Sequence, residues 1–112
     1  MFPEATPDLD KRRAELAPKP AEAFAAFSKA VFAEGALDEK TKQLIAVAVA
    51  HVTQCPYCIK GHTKVAHRKG ASPQEVMEAV WVAAEMRAGG AYAHSTLALD
   101  TLGETHPAGG QH

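Results

Sequence analysis

Cys55 and Cys58 are the only cysteines in a chain of 112 residues, and they stand in the run Gln54-Cys55-Pro56-Tyr57-Cys58-Ile59-Lys60-Gly61-His62. Pro56 suits the first position of a helix, where its missing N–H would have no partner in any case, so Cys55 is placed at the N-cap and Cys58 in the first turn. A thiolate in that turn meets unpaired backbone N–H groups and the positive end of the helix dipole, which lower the thiol pKa and raise its nucleophilicity. His62 follows Cys58 by four residues, which puts both side chains on one helical face. An imidazole there can take the thiol proton or pair with the thiolate. The two cysteines are close enough in sequence to cycle between dithiol and disulfide.

Other readings of the same residues are blander. The pair can be two small buried hydrophobes, or a disulfide that only braces the fold, although closing so short a loop restrains the unfolded chain little. Zinc is a further rival, but Cys55, Cys58 and His62 supply three ligands where a structural site needs four, and His51 or His67 would have to complete it across a subunit boundary. Tyr57, between the cysteines, either shields them and joins a proton relay or packs in a core or interface.

The chain as a whole fits an enzyme of modest size. Net charge is −1 and the isoelectric point about 6.6, with no block of like charges to suggest nucleic acid or an anionic membrane surface. No stretch has the length and apolarity of a membrane span, and Met1-Phe2-Pro3-Glu4 lacks the basic start and apolar run of a signal peptide, so the expected location is the cytoplasm. In that reducing compartment a closely spaced cysteine pair points to catalysis rather than to a structural staple.

The positioning elements are all helical. Residues 1–7 read as an irregular lead-in, 8–16 as a short helix, and the stretch from Pro20 towards Gly35 as a second helix carrying Phe24, Phe27, Val31 and Phe32 as core. Asp38 caps a third helix that runs to about Thr53, and its middle, Leu44 to Ala50, is apolar on every side. The reactive helix runs from Pro56 to about Lys69. Ser72-Pro73-Gln74-Glu75 is a capping box for a fifth helix, predicted to stop near Ala88 at Gly89-Gly90, with Trp81 as core and a last helix from about Ala91 to Leu102. No alternating strand pattern appears. The expectation is an all-α chain of about six helices, with a lead-in and short helix over 1–19, the helical domain over 20–102 and a flexible tail over 103–112. Two helices apolar all round exceed what one small domain can hide, which predicts a symmetric homo-oligomer.

The residues from about Phe27 to Leu102 resemble the carboxymuconolactone decarboxylase family, specifically its alkylhydroperoxidase AhpD-like branch. Lys40-Thr41-Lys42-Gln43-Leu44-Ile45-Ala46, then Cys55-Pro56-Tyr57-Cys58, His62 and the Gly70-Ala71-Ser72 turn carry the likeness. The resemblance implies an all-α trimer or hexamer that reduces hydroperoxides through Cys55, Cys58 and His62, with no bound cofactor and with an external dithiol, protein or small molecule, as electron donor. In the redox members a Glu stands where this chain has Gln43, as part of a proton relay with the histidine and the second cysteine. An amide cannot take that proton. Glu85 is the first substitute, because it interrupts an otherwise apolar run and would there be a desolvated carboxylate; Glu39, one turn before Gln43, is the second, and Glu34 the third. The expected function is thus an AhpD-like thiol peroxidase. The alternatives are a thiol-disulfide oxidoreductase without peroxidase activity and a non-catalytic metal-binding or interaction module.

Overall fold

A computed structural model describes residues 2–104 of the chain. Among them are five helices and no strand: α1 (Pro7–Leu16), α2 (Pro18–Phe32), α3 (Glu39–Thr53), α4 (Pro56–Arg68) and α5 (Pro73–Thr101). The all-α expectation holds, with one helix fewer than the sequence suggested.

Local chemistry sets most of the boundaries. Thr6 Oγ1 accepts the N–H of Leu9 to cap α1, and Asp38 Oδ1 accepts that of Thr41 at 2.7 Å to cap α3. Ser72 and Glu75 form the full reciprocal capping box at the start of α5. The tail predicted over 103–112 lies outside the described residues from position 105 onward, His106 and His112 included.

Gly89-Gly90 does not break the last helix; α5 runs through it for 29 residues, about 44 Å at the standard rise. Glycine weakens a helix interior by about 1 kcal/mol relative to alanine but does not forbid it, since the hydrogen-bond ladder continues through its backbone. At Gly89 the missing side chain has a use: a Cβ there would come within 3.1 Å of Glu85 Oε2, which folds back over that turn.

The core is small. Val47, Ala66 and Ala71 are buried together, and Leu44, Val76 and Val80 pack against them, so α3, α4 and the first half of α5 form the packed unit. Helix α2 is joined to it by Lys42, whose Nζ donates to Val31 O at 2.9 Å and Ala33 O at 2.7 Å and so satisfies carbonyls at the end of α2. The aromatics of α2 are not core as the periodicity suggested. Phe24 is 68% exposed and Phe27 64%, and Trp81 on α5 is 68% exposed. The apolar run of α3 is likewise buried on one side only, with Ile45 and Val49 facing out. Helical periodicity identifies an apolar face but not the surface that covers it. The radius of gyration is 19.8 Å, against about 13 Å for a compact domain of this length, because α2 and the far half of α5 stand away from the core.

Two carboxylates tie the helix starts to pH. Hydrogen bonds from the Thr41 side chain and backbone hold the Asp38 carboxyl below its ordinary value of 3.8. The Lys40 ammonium, 2.9 Å from Glu75 Oε2, and then the Ser72 N–H hold Glu75 below its ordinary 4.5. Both groups bind a proton more readily unfolded than folded, so their stabilisation is complete above the ordinary carboxylate values and is lost as pH falls through the depressed folded ones. Urea midpoints are therefore expected to drop from about pH 5 to about pH 3, and to drop less steeply in Glu75→Gln, which starts lower.

Candidate functional site

One residue separates α3 from the cysteine that opens the next helix. Gln54 takes φ 60° and ψ 43°, the left-handed conformation, and its N–H and that of Cys55 both reach Ala50 O. This helix-ending geometry usually employs glycine, and a side-chain-bearing residue adopts it at a cost of about 1–2 kcal/mol. The Gln54 side chain offsets part of it by donating to His51 O at 3.2 Å. A lone glutamine carries no sequence signal for such a turn.

The turn delivers Cys55 to the N-cap of α4, with extended backbone, and Pro56 to the first helical position. Cys55 Sγ accepts the N–H of Cys58 at 3.3 Å, and the two sulfurs lie 2.6 Å apart, inside van der Waals contact. Both thiols are half-buried. The two thiols differ in environment. The Cys55 thiol is lowered, first by the Cys58 side chain, then by the Cys58 N–H, and also by the Tyr57 N–H. Cys58, although in the first turn, is raised, because it is the partner that keeps its proton when Cys55 ionises, and burial and the neighbouring charge add to this.

His62 is held from two sides. Its Nδ1 lies 2.8 Å from Gln43 Oε1, and the ring of Phe32 packs against it with centroids 5.0 Å apart. Gln43 is only 6% exposed and is the one buried polar side chain among the described residues. An amide oxygen accepts, so Nδ1 carries the hydrogen and Nε2 keeps its lone pair. Cys58 and His62 together line a cavity of about 420 Å³ whose other walls are mostly apolar, including Phe32, Ile45, Ala46 and Val49, with Lys42 and Thr53 as the polar members.

The structure thus brings together Cys55, Cys58, His62 and Gln43. It does not bring in the other carboxylate candidates. Glu39 pairs with Lys69, its N–H is held by Glu34 at 3.2 Å, and Glu85 is exposed on α5 rather than desolvated. Nor does the Tyr57 hydroxyl join a relay: it donates to Pro3 O at 2.6 Å, and Phe2 packs edge-on against its ring at 6.0 Å. That contact between the lead-in and the reactive helix was not foreseen, and Phe32, read as core, proves to be a wall of the site. Among the described residues no three His, Cys, Asp or Glu side chains cluster so as to hold a metal. None of the described helices is long and apolar enough to cross a membrane.

Residues 18–101 match the model of the Carboxymuconolactone decarboxylase family. An uncharacterized protein from Paracoccus denitrificans, called protein 4 in cox locus, is 69% identical over 83 residues, spanning 74% of this chain and 75% of that one. A crystal structure from Methanobacterium thermoautotrophicum is 39% identical, with a TM-score of 0.71 over 78% of this chain and 96% of the other. The apo structure of a carboxymuconolactone decarboxylase family protein from Legionella pneumophila is 35% identical, with a TM-score of 0.66 over 87% and 86%.

Proposed function

The chain belongs to the carboxymuconolactone decarboxylase family, and within that family we propose that it is an AhpD-like thiol peroxidase. The observation that carries this reading is the placement of Cys58 and His62 on one apolar cavity, with Cys55 Sγ 2.6 Å behind Cys58. A hydroperoxide with an apolar body fills such a cavity and sets its O–O bond against the one sulfur that faces it.

The residues divide the work by environment. Cys58 keeps its proton and needs a base; His62, whose Nε2 is the free acceptor, removes it. The Cys58 thiolate attacks the terminal peroxide oxygen, the O–O bond breaks, and the proton on His62 passes to the departing alkoxide. Cys58 is now a sulfenic acid and the peroxide an alcohol. Cys55, the thiol that ionises readily, attacks Cys58 Sγ, forming the disulfide and releasing water once the leaving hydroxide is protonated. An external dithiol restores both thiols. The cycle uses no bound cofactor and no metal, and we place it in the cytoplasm, where thiols stay reduced.

The exposed aromatics of α2 and α5 belong in this reading to subunit contacts of a homo-oligomer, a trimer or hexamer. The cavity is open along Ile45 and Val49, so a neighbouring subunit completes its wall.

Titrating the reduced protein with cumene hydroperoxide tests the reading. Two thiols per chain are expected to disappear with one equivalent of peroxide, and mass spectrometry should find a Cys55–Cys58 disulfide. Persistence of both thiols over minutes would overturn it. A second reading, thiol-disulfide exchange without peroxidase activity, is favoured by the lowered Cys55 thiol and by Gln43 in place of a proton-accepting Glu. Reaction with small disulfides but not with peroxide selects that one.

A further inference from the structure

The cysteine pair borders two cavities, one lined by Cys58 alone of the pair and the other by both cysteines. The one described above meets Cys58 and His62 but not Cys55. On the other side, a cavity of about 490 Å³ is floored by Cys55, Tyr57 and Cys58, with Leu9 and Arg13 of α1 as one wall and the segment Pro3–Ala5 as another. His62 takes no part in it. The segment is pinned to the reactive helix by the Tyr57 hydroxyl on Pro3 O and by the edge-on contact between Phe2 and Tyr57.

From this arrangement, and resting on the dithiol cycle proposed above, we infer that the second cavity is the reductant site, and that the segment Phe2–Ala5 restricts it to a small dithiol. A volume of about 490 Å³ is in the range that holds a small molecule. A protein dithiol must instead lay its own active-site surface against the disulfide, where Pro3, Glu4 and Ala5 wall the cavity that meets Cys55. The walls suit a ligand without strong charge: Asp10 and Arg13 neutralise each other at 3.0 Å, leaving Glu4 as the one uncompensated charge among the lining residues.

The exchange closes without a further reactant. One thiolate of the dithiol attacks Cys55 Sγ, the Cys55–Cys58 bond breaks, and Cys58 leaves as a thiolate that takes up a proton. The second thiol of the reductant then attacks the sulfur bound to Cys55, closing a cyclic disulfide and expelling Cys55. Two electrons pass from the dithiol to the protein. The second step is helped because Cys55, at the N-cap, is the better leaving group of the pair.

The test uses the full chain oxidised with diamide, so it needs no peroxide and remains decisive even if the peroxidase reading fails. Reduction is followed with dithiothreitol and with reduced thioredoxin, each normalised to an unstructured disulfide peptide. The wild-type protein is expected to react with dithiothreitol nearly as fast as the peptide and with thioredoxin about a hundredfold more slowly relative to it, the scale set by burial of the attacked sulfur. Freeing the segment in Phe2→Ala is expected to raise the thioredoxin rate about fivefold, the gain for losing one ring contact, and to leave the dithiothreitol rate within about twofold. Wild-type protein reduced by thioredoxin as readily as the peptide, or Phe2→Ala with an unchanged thioredoxin rate, would overturn the inference.

Discussion

Cys58→Ser is expected to abolish peroxide consumption outright, whereas Cys55→Ser is expected to allow a single turnover and then stop. The asymmetry follows from the two cavities and the two thiols. Cys58 is the sulfur that faces the apolar cavity beside His62, so its loss leaves a bound hydroperoxide with no nucleophile in reach. A serine hydroxyl in its place does not form a sulfenic acid and is a far weaker nucleophile than a thiolate. In Cys55→Ser the attack on peroxide still proceeds, and Cys58 is left as a sulfenic acid with no thiol 2.6 Å away to condense with. A dimedone adduct on Cys58, one per chain, identifies that stalled state by mass spectrometry. Its appearance on Cys55 in Cys58→Ser instead would reverse the roles assigned to the two cysteines. Iodoacetamide separates the thiols independently: in the wild-type protein Cys55 should be alkylated first as pH rises, because its thiol is the lowered one and Cys58 the raised one.

What the sequence revealed of this site, and what it hid, follows the range of the interactions. Pro56 after Cys55, Asp38 before a charged first turn and the Ser72–Glu75 pair are contacts within three or four residues, and each formed as its local chemistry requires. The spacing of Cys58 and His62 placed them on one cavity for the same reason. The bond between His62 and Gln43 spans 19 residues and two helices, and helical spacing alone does not choose among Glu85, Glu39 and Glu34 as the group beside His62. Tyr57 and Pro3 are 54 residues apart, and nothing in an irregular lead-in foretells a carbonyl aimed at a hydroxyl. Gly89-Gly90 failed as a boundary because glycine lowers helix stability without removing a hydrogen bond, and Phe24, Phe27 and Trp81 failed as core because a periodic apolar face does not reveal whether its cover is the same chain. The family likeness was legible because it rests on the short-range residues that the local rules also govern.

His62→Ala is expected to slow the oxidation of Cys58 by about 10²-fold or more at neutral pH, the scale of a lost general base. The pH dependence distinguishes this role from mere packing against Phe32. With no base in reach, Cys58 reacts only through the fraction that ionises unaided, and its thiol lies above the ordinary value of 9.0, so that fraction is small at pH 7. The fraction grows about tenfold per pH unit up to the raised pKa, so the variant should recover with that slope between about pH 7 and 9 while the wild-type rate changes less. Added imidazole should rescue it in part. A variant that is slow at every pH and unresponsive to imidazole would assign His62 to structure alone. Gln43 supplies the second half of the argument, since its Oε1 accepts the Nδ1 hydrogen and thereby leaves Nε2 as the working nitrogen. Gln43→Leu removes that acceptor from a buried position and strands the Nδ1 hydrogen, so it is expected to lower the rate about tenfold, for a loss of about 1–2 kcal/mol. Gln43→Glu restores an acceptor that also takes up a proton, and peroxide reduction equal to or faster than wild type is the expected result. Loss of activity there would mean that the site is built around a neutral amide, with a carboxylate holding His62 protonated and unable to serve as the base for Cys58.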